Sequence, residues 1–174
     1  MKKVVCLILL FCIFTVSLFA ETIMETFDST DDFGEPTGQK IFVMMTDDFT
    51  FSNSATTGRA GSDASLGIYS NMNVIVGLLT PYSSFGTETF YDDKISISYK
   101  AGDNKVVSFT VSSNDSATFV ISGSRFNEIL KAMKENNKIQ FVVKGTEYEK
   151  STKYNFKFEY DKDELNAKLK EIGK

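Results

Sequence analysis

Histidine and tryptophan are absent from this 174-residue chain, and its two cysteines, Cys6 and Cys12, both fall within the first twenty residues. Without histidine there is no imidazole to act as a general base, to complete a Ser-His-Asp triad or to ligate a metal. Beyond Cys12 the chain has no thiol nucleophile, no thiolate zinc site and no disulfide. Arginine is reduced to Arg59 and Arg125, and proline to Pro36 and Pro81. Scarce arginine and a formal charge of −4 argue against a nucleic-acid partner, whose phosphates must be neutralised by Lys and Arg. A Ser–Lys hydrolase needs a serine beside a neutral lysine, and no Ser-x-x-Lys spacing occurs. No cofactor and no metal are expected.

What the chain does have begins at its start. Lys2 and Lys3 precede an almost unbroken apolar run from Val4 to Val16, and Ser17-Leu18-Phe19-Ala20 places a small residue before Glu21. This is the layout of a secretory signal peptide, residues 1–20, cleaved after Ala20. The run is shorter than the ~20 residues of a comfortable membrane span. Two other readings use the same residues: a retained N-terminal anchor, and lipid attachment at Cys12, where bulky Phe11 stands in place of a small residue. The expected location is the periplasm or the extracellular space, and the formal charge becomes −6 once Lys2 and Lys3 are gone. The remaining ~154 residues suffice for one domain with a real core. Exported domains often rely on disulfides; this one must rely on packing, with sixteen Phe and seven Tyr in the whole chain.

Residues 21–39 carry six acids and no base before Lys40, together with Gly34, Pro36 and Gly38. They read as a flexible acidic leader, since Asp28-Ser-Thr-Asp31-Asp32 lacks the alternating ligand spacing of a calcium loop. A single β-rich domain is expected over residues 40–174. Ile41, Val43 and Met45 alternate with Phe42 and Met44, which suits a strand covered on both faces. Ser52 to Ser65 is small and polar and reads as a long loop. Leu66 to Leu79 reads as a strand pair or one bent strand, with Ile68, Val74, Val76 and Leu78 in the core, ended by Pro81. Ile95, Ile97 and Tyr99 alternate with Ser96, Ser98 and Lys100, a half-buried strand.

The C-terminal half repeats a pattern. Asn104 to Phe109 is echoed by Asn137 to Val142, and each run leads to a second alternating strand and then to an amphipathic helix. Phe126, Ile129, Leu130 and Met133 follow helical spacing behind a Ser124 N-cap. Leu165, Leu169 and Ile172 make a thinner stripe behind Asp161. The fold expected is therefore mainly β, antiparallel and sandwich-like, with two short helices and a candidate duplicated strand–strand–helix unit.

Carboxylate pairs are the remaining route to catalysis: Asp47-Asp48, Asp92-Asp93 and Glu147/Glu149, all where strands give way to turns. Thr57 to Ser62 has the small residues of an anion-binding loop but lacks a P-loop ending. The aromatic run Tyr154, Phe156, Phe158, Tyr160 puts four rings on one strand face and Lys157 with Glu159 on the other. Lys138, Lys144, Lys150, Lys153 and Lys157 form a local basic stripe, a docking surface for an acidic partner or a set of solubilising edge lysines. The candidate interaction residues are Arg59, Lys144, Lys150, Lys153 and Lys157.

The order of elements from Leu66 onward resembles a group of exported bacterial proteins, the type VI secretion-associated VasI-like and invasion-associated locus B-like proteins. Ser65-Leu66-Gly67-Ile68-Tyr69 with Asn73-Val74-Ile75-Val76 is similar to their paired early strands. Ile95 to Gly102 is similar to their central strand, and Phe158-Glu159-Tyr160 with Leu165 and Leu169 to their closing strand and leucine helix. The cysteine and tryptophan frequent in that group are missing here. The resemblance implies an exported sandwich with an accessory role. The function expected is that of a non-enzymatic protein binding another protein or an envelope component. A glycan hydrolase built on carboxylates and a surface antigen or structural subunit are the alternatives.

Overall fold

The computed structural model describes residues 22–53, 57–59, 64–79, 94–112, 118–147 and 150–174. Two antiparallel sheets enclose one core. The five-stranded sheet runs β1 (Thr22–Thr30), β2 (Pro36–Thr46), β5 (Ala64–Tyr69), β6 (Val74–Leu79), β9 (Thr118–Ser122). The six-stranded sheet runs β4 (Thr57–Arg59), β3 (Phe49–Asn53), β11 (Lys150–Glu159), β10 (Lys138–Glu147), β7 (Lys94–Ala101), β8 (Val107–Ser112). Two helices, α1 (Gly123–Glu135) and α2 (Lys162–Glu171), pack on each other. The mainly β, antiparallel sandwich with two late helices is thus the observed fold. Among the described residues no helix is long and apolar enough to cross a membrane.

Period-two alternation sorts each strand into an inward and an outward set. The five-stranded sheet turns Phe42, Met44, Leu66, Ile68, Ile75, Phe119 and Ile121 into the core. The six-stranded sheet answers with Ile95, Ile97, Tyr99, Ile139, Phe141, Val143 and with Tyr154, Phe156 and Phe158. Tyr160, beyond the end of β11, is buried as well, so all four rings of the aromatic run are core. Phe141 lies opposite Phe156 in register and stacks on it at 5.4 Å, while Phe158 meets Phe156 edge-on at 5.6 Å. Such ring pairs add roughly 0.5–1.5 kcal/mol each beyond area burial.

The helices behave as their spacing predicts. Phe126, Ile129, Leu130 and Met133 of α1 are buried, as are Leu165 and Leu169 of α2 and Ile172 at its C-cap. Asp161 caps α2 by accepting from the Asp163 N–H at 2.8 Å. The N-cap of α1 is Ser122 rather than Ser124, because β9 continues to Ser122 and Gly123 already opens the helix; Ser122 makes no side-chain cap hydrogen bond.

Several expectations are corrected. The acidic segment is no leader: it forms β1 and the start of β2, paired from Thr22↔Thr46 to Thr30↔Pro36. Its turn is held by Asp31, whose carboxylate accepts from the N–H groups of Phe33 at 2.9 Å and Glu35 at 3.0 Å. Acids are tolerated there because every residue from Thr30 to Gly38 is exposed. The supposed long loop gives Ser52 and Asn53 to β3, residues 57–59 to β4, and Ala64 and Ser65 to β5; residues 54–56 and 60–63 lie outside the described residues, as does Pro81. Leu66 to Leu79 is a strand pair, but β6 has the opposite parity from that expected. Ile75 and Gly77 face the core, and Val74, Val76 and Leu78 face outward. The cause is Phe119, whose ring lies over Gly77: a Cβ on residue 77 would sit 2.0 Å from its Cζ. Ile41, Val43 and Met45 are only half-buried, so β2 is covered on one face. The strand–strand–helix order does occur twice, with different geometry. β10 and β11 are a hairpin in one sheet, whereas β8 and β9 belong to different sheets.

The outward face of the five-stranded sheet forms three rows. They run Ile23–Met45–Ser65–Leu78–Thr118, then Glu25–Val43–Gly67–Val76–Val120, then Phe27–Ile41–Tyr69.

Two tests follow from this packing. Gly77→Ala is expected to cost about 1–3 kcal/mol by overpacking against Phe119. Urea denaturation of the double variant Gly77→Ala/Phe119→Leu should recover part of that loss; equal instability of single and double variants would remove Phe119 as the cause. The second concerns alkaline pH. Burial pushes the Tyr160 phenol above its ordinary value of 10.0, and its hydroxyl donates to the Met133 carbonyl at 3.2 Å. The unfolded chain releases this proton at the ordinary value while the folded chain holds it, so stability falls as pH rises above about 10. Tyr160→Phe should lower stability by about 1 kcal/mol at neutral pH and flatten its decline between about pH 9 and about pH 11.5, read from urea midpoints.

Candidate functional site: the lysine face of the six-stranded sheet

The rings that β11 sends inward at even positions leave its odd positions facing outward, and the same parity rule acts on β7 and β10. The result is a polar outer face carrying Lys94 and Lys100 from β7, Lys138 and Lys144 from β10, and Lys153 and Lys157 from β11, all exposed. Serines, Gln140, Asn155 and one apolar residue, the half-buried Val142, fill the positions between. Three acids stand among these lysines in the described residues: Glu159, opposite Lys138 in register, Asp48, whose carboxylate reaches Lys157, and Asp103 just beyond β7.

Register brings the lysines together across strands. Lys144 lies directly opposite Lys153, and Lys100 and Lys157 flank Gln140 from the two sides. The Gln140 amide donates to the Asn155 side-chain oxygen at 2.6 Å, and Ser98 and Ser108 hydroxyls share a hydrogen bond of 2.8 Å. Two like charges directly opposite on a sheet repel, so the Lys144–Lys153 pair lowers the stability of the strand pair that carries it.

A shallow groove of about 230 Å³ crosses this face, lined by Lys100, Asp103, Lys138, Gln140, Lys157 and Glu159. It is smaller than the ~300–1,000 Å³ of an enclosing ligand pocket, and its three lysines are accompanied by two carboxylates, Asp103 and Glu159. Lys157, in the groove's lining, is tied to the corner where the chain passes between sheets. Thr46 Oγ1 accepts from the Asp48 N–H at 3.1 Å, and the Asp48 carbonyl accepts from the Lys157 N–H at 3.0 Å. The Asp48 carboxylate lies 3.5 Å from Lys157 Nζ.

Of the five candidate residues, Lys144, Lys153 and Lys157 share this face. Arg59 pairs with Thr50, which pairs with Asn155, so β4 brings Arg59 into the Asn155 row of the sheet. Lys150 pairs with Glu147 at the hairpin end and has the parity of the buried Tyr154 and Phe156, so register separates it from the set. Lys94 and Lys100 were missed in the sequence because β7 precedes β10 by some forty residues; the signal was present in the alternation of Lys94 to Lys100 with isoleucine and tyrosine. Among the carboxylate pairs, Asp48 is tied to the sheet corner, Glu147 ends β10, and Asp92, Asp93 and Glu149 lie outside the described residues. Within the described residues no group of three or more His, Cys, Asp or Glu is placed to hold a metal ion.

A second opening of about 580 Å³ lies where β8 and β9, edge strands of different sheets, face each other. Phe109, Val111 and Val120 line it, and the Arg125 guanidinium, paired with Glu128, stands 5.5 Å above the Phe109 ring. Comparison with family models, with curated proteins and with solved structures finds no match to this chain.

The lysine face predicts a measurable conflict between stability and charge. Lys144→Glu turns a like-charge pair into an opposite-charge pair and should raise stability by about 0.5 kcal/mol. Urea denaturation at low salt, with the gain shrinking as salt is added, checks this.

Proposed function

We propose that this protein is an exported, non-enzymatic binding protein that holds an acidic partner against the lysine face of its six-stranded sheet. The observation that carries the reading is the concentration of six lysines on one sheet face of a chain whose formal net charge is negative. Solubility alone is served by charge of either sign spread over the surface. It does not call for lysines set opposite one another, where they oppose folding. A rigid sheet presents such charges at fixed ~4.8 Å spacing between strands, which favours a partner with repeated acidic groups over a single ion. The export reading rests on the first twenty residues, and the accessory role on the resemblance to exported sandwich proteins.

Binding to immobilised polyglutamate tests this. Affinity should fall as salt rises through about 0.15 M, where the screening length is about 8 Å. Lys100→Gln/Lys144→Gln/Lys157→Gln should weaken binding by at least about tenfold, roughly the loss of three partly exposed charge contacts. The control Lys131→Gln/Lys168→Gln/Lys170→Gln removes the same charge from the helices. Equal losses in the two triple variants would mean that net charge alone is being read, and the assignment to this face would fail.

A further inference from the structure

The six-stranded sheet shows what this chain places on a sheet face that meets water: lysine, serine, threonine, asparagine and glutamine, with Val142 the one apolar residue among the outward positions of β7, β10 and the described part of β11. The outward face of the five-stranded sheet is built from different residues. Val43, Val76 and Val120 cross its middle row, and Ile23, Phe27 and Leu78 stand toward its margins. Ile23 and Phe27 are each 46% exposed and Leu78 is 37% exposed. Glu25, on edge strand β1, is the one charged residue in the three rows. Both helices send their buried side chains into the core on the sheet's other side. Contiguous apolar surface of this extent on a soluble domain marks an interaction site.

Gly67 stands at the centre, on the middle strand β5. A Cβ there would meet Tyr69 Cε2 at 3.7 Å and Val76 O at 3.9 Å, both ordinary contacts. The contrast with Gly77, where Phe119 forbids any side chain, is direct. Position 67 has room for a Cβ beside the Tyr69 ring, and approach by a ligand or another backbone is one of the features that strand glycines mark. Twisted sheets laid face to face touch at their centres and splay at their corners. A glycine in the middle, valines beside it and Ile23, Phe27 and Leu78 at the margins give the relief that fits a second twisted sheet.

We propose that this face is a homodimer interface, in which two copies of the five-stranded sheet pack face to face about a two-fold axis running along β5. Such an axis sets Gly67 against its symmetry mate and lays each β1 over the partner's β9. The two Glu25 carboxylates then sit on opposite rims, in water, rather than against each other. Five strands ~4.8 Å apart, each with three outward residues ~6.8 Å apart, span roughly 24 by 20 Å, or about 480 Å² in projection. A stable dimer takes about 800 Å² of accessible surface per partner, so the bare projection supplies more than half, and side-chain relief adds to it. An anionic bilayer is a poorer occupant, because the β1–β2 turn at the end of this face carries Asp28, Asp31, Asp32 and Glu35.

The test uses the full chain, recovered as the cell processes it, at up to about 0.1 mM in sedimentation equilibrium and in thermal melts. A dimer is expected, with a melting temperature that rises with protein concentration. Val43→Lys should weaken dimerisation by at least about a hundredfold by burying an unpaired charge at the interface, with an unchanged circular-dichroism spectrum. Should Val43→Lys fail to fold, Ile23→Lys on the exposed edge strand carries the same expectation. Gly67→Ala separates the dimer from the fold: the monomer should keep or gain stability while the dimer dissociates at least about tenfold more readily. A monomer throughout the concentration range overturns the proposal. So does a dimer whose affinity none of the three substitutions changes, and so does a monomer that floats with uncharged phosphatidylcholine vesicles.

Discussion

Two sheets with no disulfide between them stay together only if their inner faces interlock, and here aromatic rings set that contact. Tyr99, Phe141, Phe156 and Phe158 form a continuous block on the six-stranded sheet, each ring within 6.4 Å of another. Against it the five-stranded sheet presents Phe42, Met44, Leu66, Ile68 and Phe119, all fully buried. Removing one such ring from a packed core costs about 3–5 kcal/mol, a large share of the ~5–15 kcal/mol that a domain has in total. The parity of every strand follows from this demand. Gly77 exists because the Phe119 ring takes the space of a side chain there. Lys157 points outward because Phe156 and Phe158 on either side of it point in. The lysine face is thus positioned by the core, although nothing in the core needs lysine.

Where the sequence was informative, one face of a segment was clearly apolar and the other clearly polar. Tyr154 to Tyr160 and Lys94 to Ala101 alternate without ambiguity, and their burial follows the pattern. Phe126 to Met133 matches a helical stripe for the same reason. Val74-Ile75-Val76-Gly77-Leu78-Leu79 is apolar at both parities, so local pattern does not decide which set faces the core. That decision is made by Phe119, more than forty residues away. The acidic segment failed differently. Its composition is that of a disordered stretch, but Met24 and Thr26 lie beside Met44 and Phe42 in register, and pairing with β2 supplies the ordering that composition does not. The candidate site was half legible, because lysines close in sequence were visible and those joined only by register, Lys94 and Lys100, were not.

The two halves of the sandwich are unequal on their outer sides, and the inequality has a physical meaning beyond either face alone. Turn acids cluster on the five-stranded sheet at the β1–β2 hairpin, and six lysines on the outer face of the opposite sheet, so the negative total conceals a local separation of charge. An outward apolar face also invites aggregation, and the chain has not blunted it with charge as it has the other sheet. The dimer proposed above would remove that liability by covering the face with a second copy.

Joining two copies through their apolar faces turns this separation of roles into an assembly. The lysine faces are then the two outermost surfaces of a four-layer stack, pointing in opposite directions. In the proposed dimer, acidic partners of the two faces could not both come from one flat surface, so it would link two separate acidic groups or two stretches of one flexible chain. Each contact is weak and salt-screened by itself. Two rigidly connected faces convert the second contact into an intramolecular event, which raises overall binding without any new interaction. Weak individual charges suffice in such an arrangement. The stability lost at the Lys144–Lys153 pair is small beside what the shared interface contributes.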